Sequence, residues 1–166
     1  MMVVNILVDG LLAAVAGIGF GAISHPPRRA FLYIAILAAI GHGLRFYLME
    51  TMHLDIATAS FFASLAIGAF SMWFGRLSFC PITVLYIPAL LPMVPGMYAY
   101  KSVLALIKFM HHQKEAVAAA NYMQEMFSNV VVTVSTVFLL ALGATLFIFF
   151  FPKRAYSMTR RAVDRP

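Results

Sequence analysis

The chain alternates between long apolar runs and short polar gaps, at the spacing expected of helices that cross a bilayer. Runs of about 20 apolar residues are long enough to span a membrane as α-helices. Three such runs fill the first half of the chain, at Val3–Ile23, Ala30–Met49 and Ile56–Phe74. The first ends at the paired prolines Pro26 and Pro27, because proline breaks a helix. The pattern therefore predicts three consecutive transmembrane helices.

The second half predicts one broken span and one continuous span. Residues Pro81–Lys108 are apolar but contain four prolines and a glycine, at Pro81, Pro88, Pro92, Pro95 and Gly96. This composition predicts a discontinuous fourth span, which either crosses the membrane or re-enters it. Phe127–Phe151 predicts a fifth span, and we expect the polar stretch His111–Gln124 to lie on the membrane surface as an amphipathic helix. The predicted fold class is an all-α integral membrane protein of about five transmembrane helices, with the fourth broken by proline and glycine.

Composition supports lipid as the solvent of this chain. Of its 166 residues 63% are hydrophobic and 11% charged, and the mean hydropathy is +0.90. The surface of a soluble domain of this size is too polar for that composition. The net charge of +6 does not indicate a nucleic-acid partner, because the charges lie in short gaps between apolar runs. We expect one membrane domain at residues 1–152 and a basic cytoplasmic tail at 153–166.

The basic residues predict the orientation, because cytoplasmic loops are enriched in lysine and arginine. With the N-terminus outside, eight basic residues fall on the inner side, namely Arg28, Arg29, Arg76, Lys153, Arg154, Arg160, Arg161 and Arg165. Lys108 and Lys114 fall on the outer side, and Lys101 lies within the fourth span. The asymmetry favours an N-out, C-in topology.

Small residues recur every four positions in three of the predicted spans. They are Ala13, Gly17 and Gly21 in the first, Ala35, Ala39 and Gly43 in the second, and Ser60, Ser64 and Gly68 in the third. Such stripes allow helix backbones to approach closely in lipid. We interpret them first as packing within this chain, with contact to a partner subunit or a second copy as the alternative.

Two charged residues and a histidine inside the first two spans are the main candidates for function, because charges in a span are costly. Asp9 lies 17 residues before Pro26 and Arg45 lies 18 after Pro27, so both have the same predicted depth, roughly 9 Å below the outer end. An ion pair between them would lower the cost of each. His42 shares the helix face of Arg45. Arginine binds carboxylates through two hydrogen bonds, and histidine is suited to carrying a coupling proton. The structural alternative is a simple Asp–Arg pair, or an arginine that reaches the outer surface.

The proline cluster of the fourth span is the second candidate. Each proline lacks an N–H and disturbs the carbonyl four residues earlier, so Pro92 and Pro95 are expected to free the carbonyls of Pro88 and Leu91. Gly96 is expected to allow a turn that other residues resist. Freed carbonyls at membrane depth need protein or a water-filled cavity around them, and transporters bind solutes at such breaks. The alternative is a simple proline kink.

The other motifs are weaker. Gly17-Ile18-Gly19-Phe20-Gly21 lacks the context of a nucleotide-binding loop, since it lies inside a span. His111, His112 and Glu115 have the residue types of a metal site, but such residues on a surface helix are more often solvated. We find no nucleophile–base pair and no metal quartet. The sequence therefore predicts no enzyme activity, no cofactor and no metal.

Several of these segments together resemble the threonine/serine exporter family, as the small subunit of its split form. The resemblance rests on Gly17–Phe20, the proline and Arg29 of the first inner loop, Ile40–Arg45, Ile67-Gly68, and Ile87–Gly96 with Tyr98 and Tyr100. It covers nearly the whole chain. The stretch His111–Gln124 and the basic tail diverge.

The resemblance implies export of small hydrophilic acids, either threonine and serine or small dicarboxylates such as succinate, driven by the proton motive force. It also implies a larger membrane subunit as partner and a location in the bacterial inner membrane. We expect the solute or its coupling proton to be bound by Asp9, His42 and Arg45, together with Pro88, Pro92, Pro95 and Gly96 of the break and the tyrosines Tyr98 and Tyr100. Two alternatives remain from the residues: a membrane scaffold that only stabilises a partner, and a passive channel.

Overall fold

A computed structural model describes residues 2–151 of the chain, and within them every regular element is helical. Six α-helices follow in order: α1 (Met2–Ile23), α2 (Arg28–Met52), α3 (Ile56–Ser78), α4 (Ile82–Leu90), α5 (Gly96–His111) and α6 (Ala116–Phe150). The 3-10 turn Leu91–Met93 follows α4 directly. The predicted basic tail at 153–166 lies outside the described residues.

Four of the helices are long and apolar enough to cross a membrane, namely α1, α2, α3 and α6. The helical segments Ile82–Met93 and Gly96–His111 add a fifth candidate if the two are counted as one bent span. The prediction of an all-helical membrane protein with a broken fourth span is therefore confirmed.

Local sequence explains where the helices start and stop. Pro27 precedes α2 in an extended conformation, and Pro81 lies directly before α4. Asp55 caps α3, because its carboxylate accepts hydrogen bonds from the Thr58 hydroxyl at 2.6 Å and the Thr58 amide at 2.9 Å. Both bonds lower the pKa of the Asp55 carboxyl, and the bond from the Thr58 hydroxyl has the larger effect. At the other ends, His53 and Phe79 take the left-handed conformation that closes α2 and α3.

The described residues fall into two compact units. The core unit contains residues up to Met93 together with those from Leu139, and the hairpin unit is Val94–Phe138. In the core unit α1 packs on α2, α2 on α3, and α4 against all three. Its centre is formed by side chains with no exposed area, namely Ile34, Leu37, Ile67, Leu85 and Met93. In the hairpin unit the Tyr122 ring of α6 contacts His112 and the Lys108 ammonium of α5.

Glycines of the predicted stripes lie at helix contacts within the core unit. A Cβ at Gly17 would come within 2.9 Å of the Ala38 methyl, and one at Gly43 within 3.3 Å of Ile6. The carbonyl of Ala39 lies 3.2 Å from the position of a Cβ on Gly10. Gly21 faces Ile34 in the same way, at 3.0 Å. These distances show that α1 and α2 approach closely along this stripe.

The third stripe brings α3 against the second half of α6. A Cβ at Gly68 would lie 2.8 Å from the Ala144 carbonyl oxygen, and Ser64 Oγ is 3.5 Å from the Leu139 carbonyl. Residues later in α3 therefore face residues later in α6, so the two helices run parallel and end at the same side of the core unit. Ser60 is also fully buried, and its hydroxyl has no hydrogen-bond partner among residues 2–151.

Two expectations about the second half of the chain are wrong. The stretch His111–Gln124 is not a separate surface helix, because α5 ends at His111 and α6 runs unbroken from Ala116. Gly96 is not needed for an unusual turn: no glycine in the described part of the chain has a positive φ, and a Cβ at Gly96 would meet no atom within 4 Å.

Candidate functional site

The polar residues of α1 and α2 meet at the 3-10 turn. His42 lies on α2 and binds Asp9 of α1, with 2.6 Å between Nδ1 and Oδ2. Its other ring nitrogen, Nε2, lies 3.2 Å from the carbonyl oxygen of Pro92. His42 therefore connects α1, α2 and the turn in one place.

Arg45 completes this cluster one helical turn beyond His42. Its Nη1 donates a hydrogen bond to the Met93 carbonyl at 2.7 Å, and its Nη2 lies 3.0 Å from His42 Nε2. Two carbonyls of the turn thus face two side chains of α2. We call Asp9, His42, Arg45 and the carbonyls of Pro92 and Met93 the polar cluster.

The predicted equal depth of Asp9 and Arg45 agrees with the structure, but the direct ion pair between them is absent from residues 2–151. His42 lies between the two charges, and the one salt bridge in that range joins His42 to Asp9. The His42 imidazole lies between Asp9 and Arg45 and contacts the Asp9 carboxylate. The longer Arg45 side chain extends instead to the Met93 carbonyl of the 3-10 turn. The cluster therefore holds one anion and one permanent cation, linked through a group that can take up a proton.

The cluster is accessible at its acidic end. The Asp9 side chain is 32% exposed and the His42 side chain 14%. Arg45 is half-buried. The Met93 side chain has no exposed area, and this burial holds the backbone of Met93 in place. Asp9 is therefore the more exposed side chain of the Asp9–His42 pair.

The break in the fourth span supplies the carbonyls, although not the predicted ones. The acceptors of the side-chain hydrogen bonds are Pro92 and Met93, and not Pro88 and Leu91. The 3-10 turn tightens the backbone over Leu91–Met93, and Pro95 cannot donate an N–H to continue the helix. The carbonyls of Pro92 and Met93, just before the break, are therefore available as hydrogen-bond acceptors for side chains.

Gly41 is a contributor that the site prediction omitted. A Cβ at this position would overlap the Ile67 side chain, with 2.8 Å to its Cγ1, and would lie 3.5 Å from Met93 Sδ. Gly41 therefore allows Ile67 of α3 to pack closely against α2, next to Met93, which carries an acceptor carbonyl. The adjacency Gly41-His42-Gly43 was the signal in the sequence that could have identified it.

The other predicted site residues are not members of the polar cluster. Pro88 is buried in the core unit. Pro95 and Gly96 begin α5, and Tyr98 and Tyr100 lie on α5 within the hairpin unit. There the Tyr98 carbonyl accepts a hydrogen bond from Ser102 and its ring lies 6.0 Å from the Lys101 ammonium.

Comparison with known proteins identifies a family and a similar protein. A family model described as Threonine/Serine exporter, ThrE, matches residues 9–150. A protein of Haemophilus influenzae, described as uncharacterized, is 32% identical over 111 residues, which cover 67% of this chain and 37% of that relative. The match thus spans little more than a third of the length of that curated relative. No solved structure matches the chain at a significant level.

Proposed function

This chain belongs to the threonine/serine exporter family, ThrE, and we propose that it moves a small carboxylate-bearing solute across the bacterial inner membrane through its polar cluster. The proposed solutes are threonine and serine, or a small dicarboxylate such as succinate. Family membership points to transport and not to enzyme chemistry.

The observation that carries the proposal is the placement of Arg45 and His42 against a broken helix. A guanidinium that is half-buried in a membrane helix is costly unless it is used, and irregular backbone at this depth is tolerated where it lines a cavity or is covered by protein. Here the charge and the break face each other, with 2.7 Å between Arg45 Nη1 and the Met93 carbonyl.

In the proposed mechanism Arg45 binds the solute carboxylate. A guanidinium forms paired, charge-assisted hydrogen bonds with a carboxylate, which a neutral carbonyl cannot match. The contact from Nη2 to His42, at 3.0 Å, is the longer of its two contacts and is the one that a carboxylate replaces. Asp9 holds the imidazole through Nδ1, so that the ring keeps its orientation when Arg45 turns to the solute.

His42 is the proposed proton carrier. When the ring is neutral with its proton on Nδ1, Nε2 accepts a hydrogen bond from Arg45. When Nε2 is protonated it can no longer accept that bond, and the Pro92 carbonyl at 3.2 Å becomes its partner. Protonation of His42 therefore frees Arg45, which links a proton to solute binding.

A larger membrane subunit of the same family is the proposed partner. The match covers 37% of the Haemophilus influenzae protein, so most of the length of that relative lies outside the part that is similar to this chain. In an N-out orientation this chain would face such a partner as the opposite half of a two-part transporter, with the solute site near their interface.

The test is efflux of preloaded labelled threonine, serine and succinate from cells that express the chain with and without the larger subunit. We expect efflux of one solute class only when both are present, and loss of that efflux when an uncoupler removes the proton gradient. Efflux that persists with the uncoupler would instead indicate a passive channel.

The Arg45→Ala variant separates transport from a scaffold role. We expect it to enter the membrane and bind the partner normally but to lose efflux. If the variant at matched amounts transports as well as the unchanged chain, or if it lowers only the yield of the complex, the proposed role of Arg45 is wrong.

A further inference from the structure

A groove that the polar cluster does not use lies between the ends of α3 and α6. It has a volume of about 260 Å³ and is lined by Ala69, Met72, Trp73, Arg76, Phe147 and Phe151. Five of the six lining side chains are apolar and three of them are aromatic. The single charged group is the guanidinium of Arg76, in the last turn of α3.

The groove lies at one end of the membrane-spanning helices. Gly68 contacts Ala144, where α3 and α6 pack side by side and run in the same direction. Both helices continue from there for about two turns, to Arg76 and Phe151. The loop between α2 and α3 is short, so the start of α2, with Arg28 and Arg29, lies at this same end. This is the end that the basic residues predict to face the cytoplasm.

Arg76 has no partner for its charge among residues 2–151. The structure gives its side chain no hydrogen bond and no ion pair there. The acidic residues described in the core unit, Asp9, Glu50 and Asp55, belong to the opposite ends of α1, α2 and the α3 cap. An exposed arginine with unused donors at a membrane boundary is complementary to a phosphate group.

The aromatic side chains give the groove the character of the membrane interface. Trp73 is 61% exposed and Phe151 45%, and tryptophan concentrates at the level of the lipid head groups. Below them, Ala69 and Met72 continue the groove along α3 toward the middle of the helix. An acyl chain fits this apolar floor while its phosphate stays beside Arg76.

We propose that the groove between α3 and α6 binds one anionic phospholipid, whose phosphate pairs with Arg76 and whose acyl chain lies on Ala69, Met72 and Phe147. The net charge of +6 and the basic residues of the same end favour an anionic over a zwitterionic head group. The ligand stabilises the contact between α3 and α6, because it touches both helices. This inference does not depend on the exported solute.

The test measures the thermal midpoint of the full purified chain in a neutral detergent with added phosphatidylglycerol, phosphatidylcholine or inorganic phosphate. Native mass spectrometry on the same samples counts the bound lipids. We expect phosphatidylglycerol to raise the midpoint more than phosphatidylcholine does, with one lipid retained, and inorganic phosphate to have little effect. An equal effect of the two lipids, or a full effect of phosphate alone, would overturn the proposal.

Two variants localise the effect. Arg76→Gln should weaken phosphatidylglycerol binding by about tenfold, since it removes a charge-assisted hydrogen bond to the phosphate, and should narrow the difference in affinity between phosphatidylglycerol and phosphatidylcholine. Arg29→Gln is the matched control, because it removes the same charge at the same end but outside the groove. If the two variants weaken phosphatidylglycerol binding equally, the lipid responds to overall charge and the site does not exist.

Discussion

At the scale of single residues, His42 Nε2 faces two partners of opposite kind. Arg45 Nη2, a donor, is 3.0 Å away, and the Pro92 carbonyl, an acceptor, is 3.2 Å away. One nitrogen cannot serve both well: the neutral form suits the guanidinium and the protonated form suits the carbonyl. The ring therefore has two hydrogen-bond states that differ by one proton.

The variant His42→Gln tests whether this proton is used. A glutamine amide keeps hydrogen-bonding groups of similar size but takes up no proton near neutral pH, so we expect efflux that no longer responds to an uncoupler. His25→Gln is the control, because His25 follows α1 outside the polar cluster. Uncoupler-sensitive efflux at the full rate in His42→Gln would show that another group carries the proton.

The sequence predicted the members of the polar cluster better than their bonds. Asp9 and Arg45 lie at nearly equal distances along the chain from the Pro26-Pro27 turn, and His42 is three residues before Arg45. These spacings were enough to predict that Asp9 lies near both. It could not tell which of the two bases would reach the carboxylate, because that depends on how deeply each side chain packs. Nor could it identify the acceptor carbonyls, since a 3-10 turn shifts them from the positions expected of an α-helix.

At the scale of elements, a few local interactions determine where each helix begins and ends. The Asp55 cap at the start of α3 is the clearest example. The Asp55→Ala variant should destabilise the protein by about 1 kcal/mol, because it removes the acceptor of two bonds from Thr58. Thermal unfolding in detergent measures this loss. Asp55→Asn is the control, because it keeps a capping oxygen, and it should lose markedly less stability.

The same cap gives a pH dependence with a definite sign. The pKa of Asp55 is lower in the folded chain, so its contribution to stability is present above the unfolded value of about 3.9 and is lost as the pH falls through the lower folded value. We expect the stability difference between the unchanged chain and Asp55→Ala to shrink on acidification below about pH 4. A difference that stays constant down to pH 2 would contradict the role of the charged cap.

The contact between α3 and α6 gives a second prediction at this scale. In Gly68→Ala the new methyl would meet the backbone carbonyl of Ala144, which cannot rotate away, so we expect a loss of about 1–3 kcal/mol. Gly19→Ala is the matched control, because its methyl would meet no atom within 4 Å and alanine favours a helix. Equal thermal midpoints of the two variants would contradict the close packing.

Hydropathy predicted the existence of the spans and missed the length of α6. The apolar stretch begins at Phe127, and the structure starts the helix at Ala116. Four of the five residues in Ala116–Ala120 are alanines, the strongest helix formers, and α6 contains no proline, so nothing stops the helix where the chain becomes polar. A hydropathy pattern marks the part of a helix that suits lipid, whereas propensity and breakers set its ends.

At the scale of the whole molecule, membership of the exporter family and the broken fourth span agree on a membrane transport protein. The orientation remains a prediction from the basic residues. We expect a reporter fused after residue 166 to be active only if it works in the cytoplasm, and one fused before residue 1 only if it works outside. Paired alkaline phosphatase and green fluorescent protein fusions measure this, and the reverse pattern would contradict the N-out topology.

The most direct test of the account is the affinity of the purified transporter, this chain with its larger subunit, for threonine, serine and succinate. Calorimetric titration of the unchanged protein and of Arg45→Ala, with Arg29→Gln as the control, isolates the guanidinium of the polar cluster. We predict that Arg45→Ala weakens binding of the transported solute by about 10- to 100-fold, as expected for loss of a charge-assisted pair. Unchanged affinity in a folded Arg45→Ala protein would contradict the claim that the polar cluster is the solute site.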